Sequence, residues 1–176
     1  MKKYDFYLIL RFFIYILEFF LLYSLEQIPG LSFKIYGVRP LLLVPFFVSA
    51  VVFESEMPAL ALGIICGLLI DISFGTTLGC FMLVLGLIGY FTGVMFKYFV
   101  KINLFSAMIF NFFILAVVSF LRFYFKFNLQ NDFYVLKSIF VPILCYSGFL
   151  FPVAYYFNKY IYYKFSERQG ERRWGP

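Results

Sequence analysis

The stretch Gly63-Ile64-Ile65-Cys66-Gly67-Leu68-Leu69-Ile70-Asp71-Ile72-Ser73-Phe74-Gly75-Thr76-Thr77-Leu78-Gly79 decides the fold. On a helix, positions four apart share a face, so Gly63, Gly67 and Asp71 form one line. Gly63-x-x-x-Gly67 is a small-residue seam that admits another helix backbone at close range. The residues between are Ile, Leu and Cys, which leaves no polar face for water. A second seam follows at Gly86, Gly89 and Gly93. The short Gly75–Gly79 connection joins the two seams, so a tightly packed antiparallel helical hairpin is expected.

Asp71 is the anomaly in this stretch. A charge inside an apolar span costs about 2.5–3.5 kcal/mol on insertion scales. If its helix starts near Pro58, Asp71 lies about 20 Å along it, near the C-terminal end. There the helix dipole disfavours a negative charge, so Asp71 needs a partner. The hydroxyls and backbone N–H groups of the following turn are candidates. Three roles are open to it: a structural helix end, partner binding or assembly, and ion or solute transport.

Outward from the hairpin, apolar stretches recur. A helix needs about 20 apolar residues to cross about 30 Å of hydrocarbon. Full-length candidates are Phe6–Leu25, Pro58–Phe74, Leu78–Phe96, Leu104–Phe123 and Ile139–Phe157. A shorter sixth is Leu41–Phe53, which follows Pro40 at a suitable first-turn position and contains a helix-breaking Pro45. It reads as a kinked span or a half-helix. No ladder of alternating strands appears, so helices are the only element that satisfies the backbone in lipid. The expected fold is an all-α polytopic bundle of six transmembrane helices. One domain covers residues 1–165, and a polar tail covers Ser166–Pro176.

Composition agrees. Of 176 residues, 64% are hydrophobic and 25% aromatic, and mean hydropathy is +0.91. A soluble domain is typically about 45–50% apolar. The first apolar run lacks a small-residue cleavage site and reads as an uncleaved span. Net charge is +6, but the charges flank apolar segments. Membrane topology therefore accounts for them without nucleic acid. In the six-span arrangement Lys2, Lys3, Lys97, Lys101, Lys159, Lys164, Arg168, Arg172 and Arg173 lie inside. Lys34, Arg39, Lys126 and Lys137 lie outside, which places both termini in the cytoplasm. Five spans with a re-entrant 41–53 and an outer N-terminus divide the charges equally well; Lys2 and Lys3 favour six.

Two further charges interrupt apolar runs. Arg11 and Glu18 are seven apart and share a face, but they stand about 10 Å from each other. Arg11 is expected to snorkel towards the cytoplasmic side. Glu18 is deeper, and Arg39 or Arg122 are the arginines it would meet. Glu54 and Glu56 read as a solvated turn ahead of a helix start. The basic residues from Lys164 to Arg173 read as a topology signal. Cys66, Cys80 and Cys145 have no CxxC spacing and read as buried small hydrophobes.

Catalytic chemistry is poorly supplied. The chain has no histidine, which removes Ser/His and Cys/His dyads and HExxH zinc sites. No nucleotide fingerprint or metal-ligand cluster is present, so no cofactor or metal is expected. A carboxylate-only membrane enzyme would have to use Glu54 and Glu56.

The central stretch also resembles the rod shape-determining protein MreD family. That family has the pattern Gly-x-x-x-Asp-x-x-x-Gly-x-x-Leu-Gly, matched by Gly67, Asp71, Gly75, Leu78 and Gly79. Val38-Arg39-Pro40 followed by Leu41 resembles its Arg-Pro entry to the second span. Ile88-Gly89-Tyr90 resembles the small-residue and Tyr pair of the fourth. Many relatives have a polar residue where this chain has Leu41. The resemblance implies a non-enzymatic scaffold of the bacterial elongation machinery in the cytoplasmic membrane. Its implied partners are a MreC-like membrane protein, MreB, RodA and a class B penicillin-binding protein. It also implies a helical arrangement like the substrate-binding S-components of energy-coupling-factor vitamin transporters. Structural or partner-binding roles then fall to Arg39, Pro40, Gly63, Gly67, Asp71, Gly75, Gly79, Gly89 and Gly93. The alternative from another class is an S-component-like transporter subunit, supported by the intramembrane Asp71 and the break near Gly75.

Overall fold

A computed structural model describes residues 3–28, 41–74, 79–127 and 133–169. These residues form six helices, α1 (Lys3–Gln27), α2 (Leu43–Val51), α3 (Glu56–Phe74), α4 (Cys80–Tyr98), α5 (Leu104–Phe127) and α6 (Phe133–Gln169), and no strand is found among them. Arg39, Pro40, Gly75, Thr76, Thr77 and Leu78 lie outside the described residues. Among the described residues, four helical segments are long and apolar enough to cross a bilayer: Tyr7–Gln27, Glu56–Ser73, Cys80–Tyr98 and Leu104–Arg122.

Helix directions follow from contacts at the two ends of the bundle. The Gln27 amide donates to Ser73 Oγ at 2.9 Å, which sets the C-terminal ends of α1 and α3 side by side. Leu43 lies against Glu26, whereas Glu54 lies against Arg11, so α2 runs antiparallel to α1. Lys97 meets Glu56, which closes the opposite end of an antiparallel α3–α4 hairpin. Asn158 meets Glu18 and Tyr162 meets Arg11, so α6 also descends against α1.

The α2 segment is shorter than Leu41–Phe53 suggests. Nine residues rise only about 13 Å, less than half a hydrocarbon core. Pro45 does not kink it. It is the third residue of the helix, within the first turn, where a missing N–H costs no intrahelical bond. After Val51 the chain tightens, with Phe53 N–H donating to Ala50 O and Glu54 N–H to Val51 O. Nearly all of α2 is buried, since α1, α3, α5 and α6 surround it. A hydrophobic helix without a polar face belongs in such a place.

The last helix departs most from the expected bounds. It spans 37 residues instead of Ile139–Phe157, and it includes Ser166–Gln169 of the expected tail. Nothing between Asn158 and Gln169 breaks a helix; Gly170 is the first residue beyond it that favours a stop. Pro142 and Pro152 lie inside this helix.

The core runs through the bundle from Tyr15 and Phe19 through Phe47, Leu62, Leu85 and Leu115 to Phe151. The outer surface is equally apolar. Phe149 is 88% exposed, and Phe13, Phe91, Phe105, Phe113 and Phe120 also face outward. Hydrocarbon accepts such a surface, and water does not. Towards the end of α6, Tyr155, Tyr160 and Tyr163 lie under Lys159 and Lys164. Aromatic and basic residues of this kind collect at a membrane–water boundary. Of the cysteines only Cys66 is buried; Cys145 is exposed, so the expectation of three buried thiols fails for it, and all three are free.

Candidate functional site

The α3–α4 hairpin is built backbone to backbone. Along α3 the seam runs Ala59, Gly63, Gly67, Asp71, one residue per turn. A Cβ on Gly63 would fall 2.8 Å from the Leu85 carbonyl carbon and 2.9 Å from Gly86 Cα. A Cβ on Gly67 would fall 2.6 Å from the Met82 nitrogen. A Cβ on Gly89 would meet the Ala59 carbonyl carbon at 3.2 Å, and one on Gly93 would meet Glu56 Cα at 3.1 Å. These neighbours are main chain, so they cannot swing aside. Gly86 is different: its nearest neighbour would be the flexible Ile64 side chain, at 3.1 Å. Gly63, Gly67, Gly89 and Gly93 therefore line the close contact between α3 and α4. Ala59 was the residue the motif left out, although its spacing of four from Gly63 was visible.

Asp71 closes the seam. Its Oδ2 accepts the backbone N–H of Gly79 at 3.0 Å and of Met82 at 3.2 Å. Its Oδ1 accepts the backbone N–H of Phe81 at 3.2 Å. Gly79 is the N-cap of α4, has no side chain to cap with, and sits at φ 110°, a left-handed conformation suited to glycine. The carboxylate of one helix thus supplies the cap that the next lacks. It also exchanges the unfavourable C-terminal dipole of α3 for the positive end of α4. The partner expected for Asp71 is the backbone of the turn; the Thr76 and Thr77 hydroxyls lie outside the described residues.

The same device occurs at α2. Its N-cap, Leu42, offers no side-chain cap, and Glu26 Oε1 at the end of α1 accepts the Leu43 N–H at 3.0 Å. Arg122 on α5 acts electrostatically on Glu26.

Arg11 does not snorkel. It is 7% exposed, and its guanidinium grips Glu54, with Nη2 donating to Oε2 at 2.8 Å and Nε 2.7 Å from Oε1. The Tyr162 ring lies 4.8 Å from the guanidinium carbon and stacks in turn on Phe53. Glu54 is 6% exposed, so it is no solvated loop residue. Burying a carboxylate this deeply is costly unless it is paired or hydrogen-bonded, and Arg11 supplies the opposite charge here. Glu56 does occupy the first turn of α3, where Lys97 Nζ donates to both its oxygens at 2.7 and 2.8 Å. Glu54 and Glu56 thus face different cations, Arg11 and Lys97.

Glu18 meets an amide instead of an arginine. Asn158 Nδ2 on α6 donates to Glu18 Oε1 at 3.4 Å, Ser49 Oγ at 2.6 Å and the Phe46 carbonyl at 3.4 Å. Asn158 and Ser49 are fully buried. Sequence reading passed over both. The signal for Asn158 was a lone amide inside Tyr155-Tyr156-Phe157-Asn158; Ser49 gave none beyond its polarity. Ser147, which accepts the Leu41 N–H at 3.2 Å, was likewise silent. Among the described residues, no group of three or more Cys, Asp or Glu side chains is placed to hold a metal.

The geometry describes a bundle clamped by interhelical caps and buried polar pairs. No curated protein and no solved structure matches the chain. The family model for the rod shape-determining protein MreD matches residues 7–164, which take in every element from α1 to most of α6. The chain belongs to the MreD family of rod shape-determining membrane proteins.

Proposed function

We propose that this protein is a non-enzymatic scaffold of the cell-elongation machinery, supporting side-wall peptidoglycan synthesis in a walled bacterium. The observation that carries the reading is the family match over residues 7–164. The protein lies in the cytoplasmic membrane with both termini inside. Its glycine-faced hairpin sets a rigid spacing, and its outer aromatic surface receives the transmembrane helix of a MreC-like partner. RodA and a class B penicillin-binding protein join the larger assembly. Helix association of this kind rests on packing, because lipid supplies no hydrophobic drive between helices. A bundle fixed by main-chain contacts offers a partner a surface that does not shift.

The test is depletion in the native host with imaging of cell width and of new side-wall peptidoglycan. Widened, rounded cells with lost side-wall insertion are expected. Normal rods with normal insertion contradict the proposal and turn attention to solute uptake, the activity of an S-component-like subunit.

A further inference from the structure

Among the described residues, one buried carboxylate has no positive partner. Glu54 has Arg11, Glu56 has Lys97, Asp71 has the N-terminus of α4, and Glu26 has the N-terminus of α2 with Arg122 nearby. Glu18 is 8% exposed, and its one hydrogen-bond partner is the neutral amide of Asn158. The side chains around it are Tyr15 one turn back on α1, Ser49 on α2 and Asn158 on α6. The nearest cation on its face, Arg11, lies two turns away and is held by Glu54 and Tyr162.

Three atoms of this cluster make no hydrogen bond: the Tyr15 hydroxyl, and the pair Glu18 Oε2 and Asn158 Oδ1. In an ionised carboxylate and an amide, both are acceptors only. Leaving two buried acceptors unmet is costly, and an isolated carboxylate in an apolar interior is costlier; such a group neutralises instead. One proton on Oε2 changes both conditions. It removes the charge and turns Oε2 into a donor, for which Asn158 Oδ1 is the unmet acceptor on the same amide. The amide N–H to Oε1 is already present.

We propose that Glu18 is a buried proton-binding site, held as the neutral acid in a two-point acid–amide pair with Asn158 that fastens α1 to α6. Nδ2–H donates to Oε1, and Oε2–H donates to Oδ1. The proton comes from solvent when the two helices pack, and no other group gives one up. Ser49 and the Phe46 carbonyl take the remaining amide hydrogen and anchor α2 to the same point. Closure of the bundle around its centre is then coupled to the uptake of one proton. This inference does not depend on the role in cell shape.

The experiment is infrared difference spectroscopy on the purified full chain, comparing wild type with Glu18→Gln at neutral pH in water and in deuterium oxide. A protonated-carboxyl stretch is expected in the wild type, shifted by deuterium and lost in Glu18→Gln. Identical spectra overturn the proposal. Thermal melting gives an independent readout. Glutamine presents the same donor and acceptor as the neutral acid, so Glu18→Gln is expected to melt at the wild-type temperature, whereas Glu18→Ala and Asn158→Leu melt lower. A Glu18→Gln chain that fails to fold, or that melts as low as Glu18→Ala, counts against it. So does a wild-type melting temperature that rises on adding sodium, which marks an ionised carboxylate balanced by a bound cation.

Discussion

Asp71 on α3 caps α4 through Gly79, with its Oδ2 3.0 Å from the Gly79 nitrogen. The helix that ends and the helix that begins share one carboxylate. Replacing Asp71 by Ala removes the acceptor for three N–H groups. An N-cap loss costs about 0.5–2 kcal/mol, and burial of the freed donors adds to it. Asp71→Asn keeps one acceptor oxygen and loses the charge, so it falls between wild type and Asp71→Ala. Thermal unfolding in detergent should give that order; equal melting of all three would show that the cap contributes nothing.

The seam makes a prediction about alanine at each glycine. Gly63→Ala and Gly67→Ala drive a methyl into main-chain atoms of α4, so the helices must part. Overpacking of this kind costs about 1–3 kcal/mol. Gly86→Ala meets the Ile64 side chain first, with Cγ1 at 3.1 Å, which needs a shift of only a few tenths of an ångström and leaves the nearest main-chain atom at 3.9 Å. It should therefore be nearly silent in the same melting assay. Gly86→Ala as damaging as Gly67→Ala would argue against a main-chain contact at Gly67.

Arg11 and Glu54 form a buried ion pair between the start of α1 and the end of the α2 segment. Removing one partner of a buried pair costs about 3–5 kcal/mol, because the other charge is left without compensation. Arg11→Met and Glu54→Leu should each destabilise strongly, and the double variant should recover most of the loss. Additive losses in the double-mutant cycle would mean that the two side chains act separately.

Much of this was legible in the residues. The spacing of Gly63, Gly67 and Asp71 gave the hairpin and its close contact, because a period of four is a local property of one helix. The demand of Asp71 for a donor was also local, since it follows from a charge near a helix end. The pairing of Arg11 with Glu54 was not legible. The two are 43 positions apart, and only the return of α2 along α1 brings them together. Asn158 was hidden for the same reason, being 140 positions from Glu18. The bounds of the short α2 differ from Leu41–Phe53 because apolar length sets an upper limit on a helix and says nothing of where its first turn begins. Pro45 marks that turn. The long α6 was misjudged in the opposite sense. A fall in hydropathy after Phe157 ends an apolar run, but a tyrosine- and lysine-rich stretch continues a helix without difficulty.

Glu26 offers a sharper test of the shared-cap principle, since its role depends on the return of α2 to the end of α1. Glu26→Ala should loosen the first turn of α2, seen as faster hydrogen exchange at Leu43 and its neighbours, with little change in α3 or α4. Unchanged exchange at Leu43 would show that the Glu26 contact, 3.0 Å long, does not hold the turn closed.

The central claim is that a rigid α3–α4 hairpin is what the elongation machinery needs from this protein. The most direct test replaces the native copy with Gly67→Leu in the host and measures cell width and side-wall peptidoglycan insertion at matched membrane abundance. Gly67→Leu places a branched side chain against the Phe81 and Met82 main chain and must separate the helices. Wide, rounded cells with weakened side-wall insertion are expected for Gly67→Leu, while Gly86→Ala supports normal rods. Rods of normal width with Gly67→Leu present at wild-type level would contradict it.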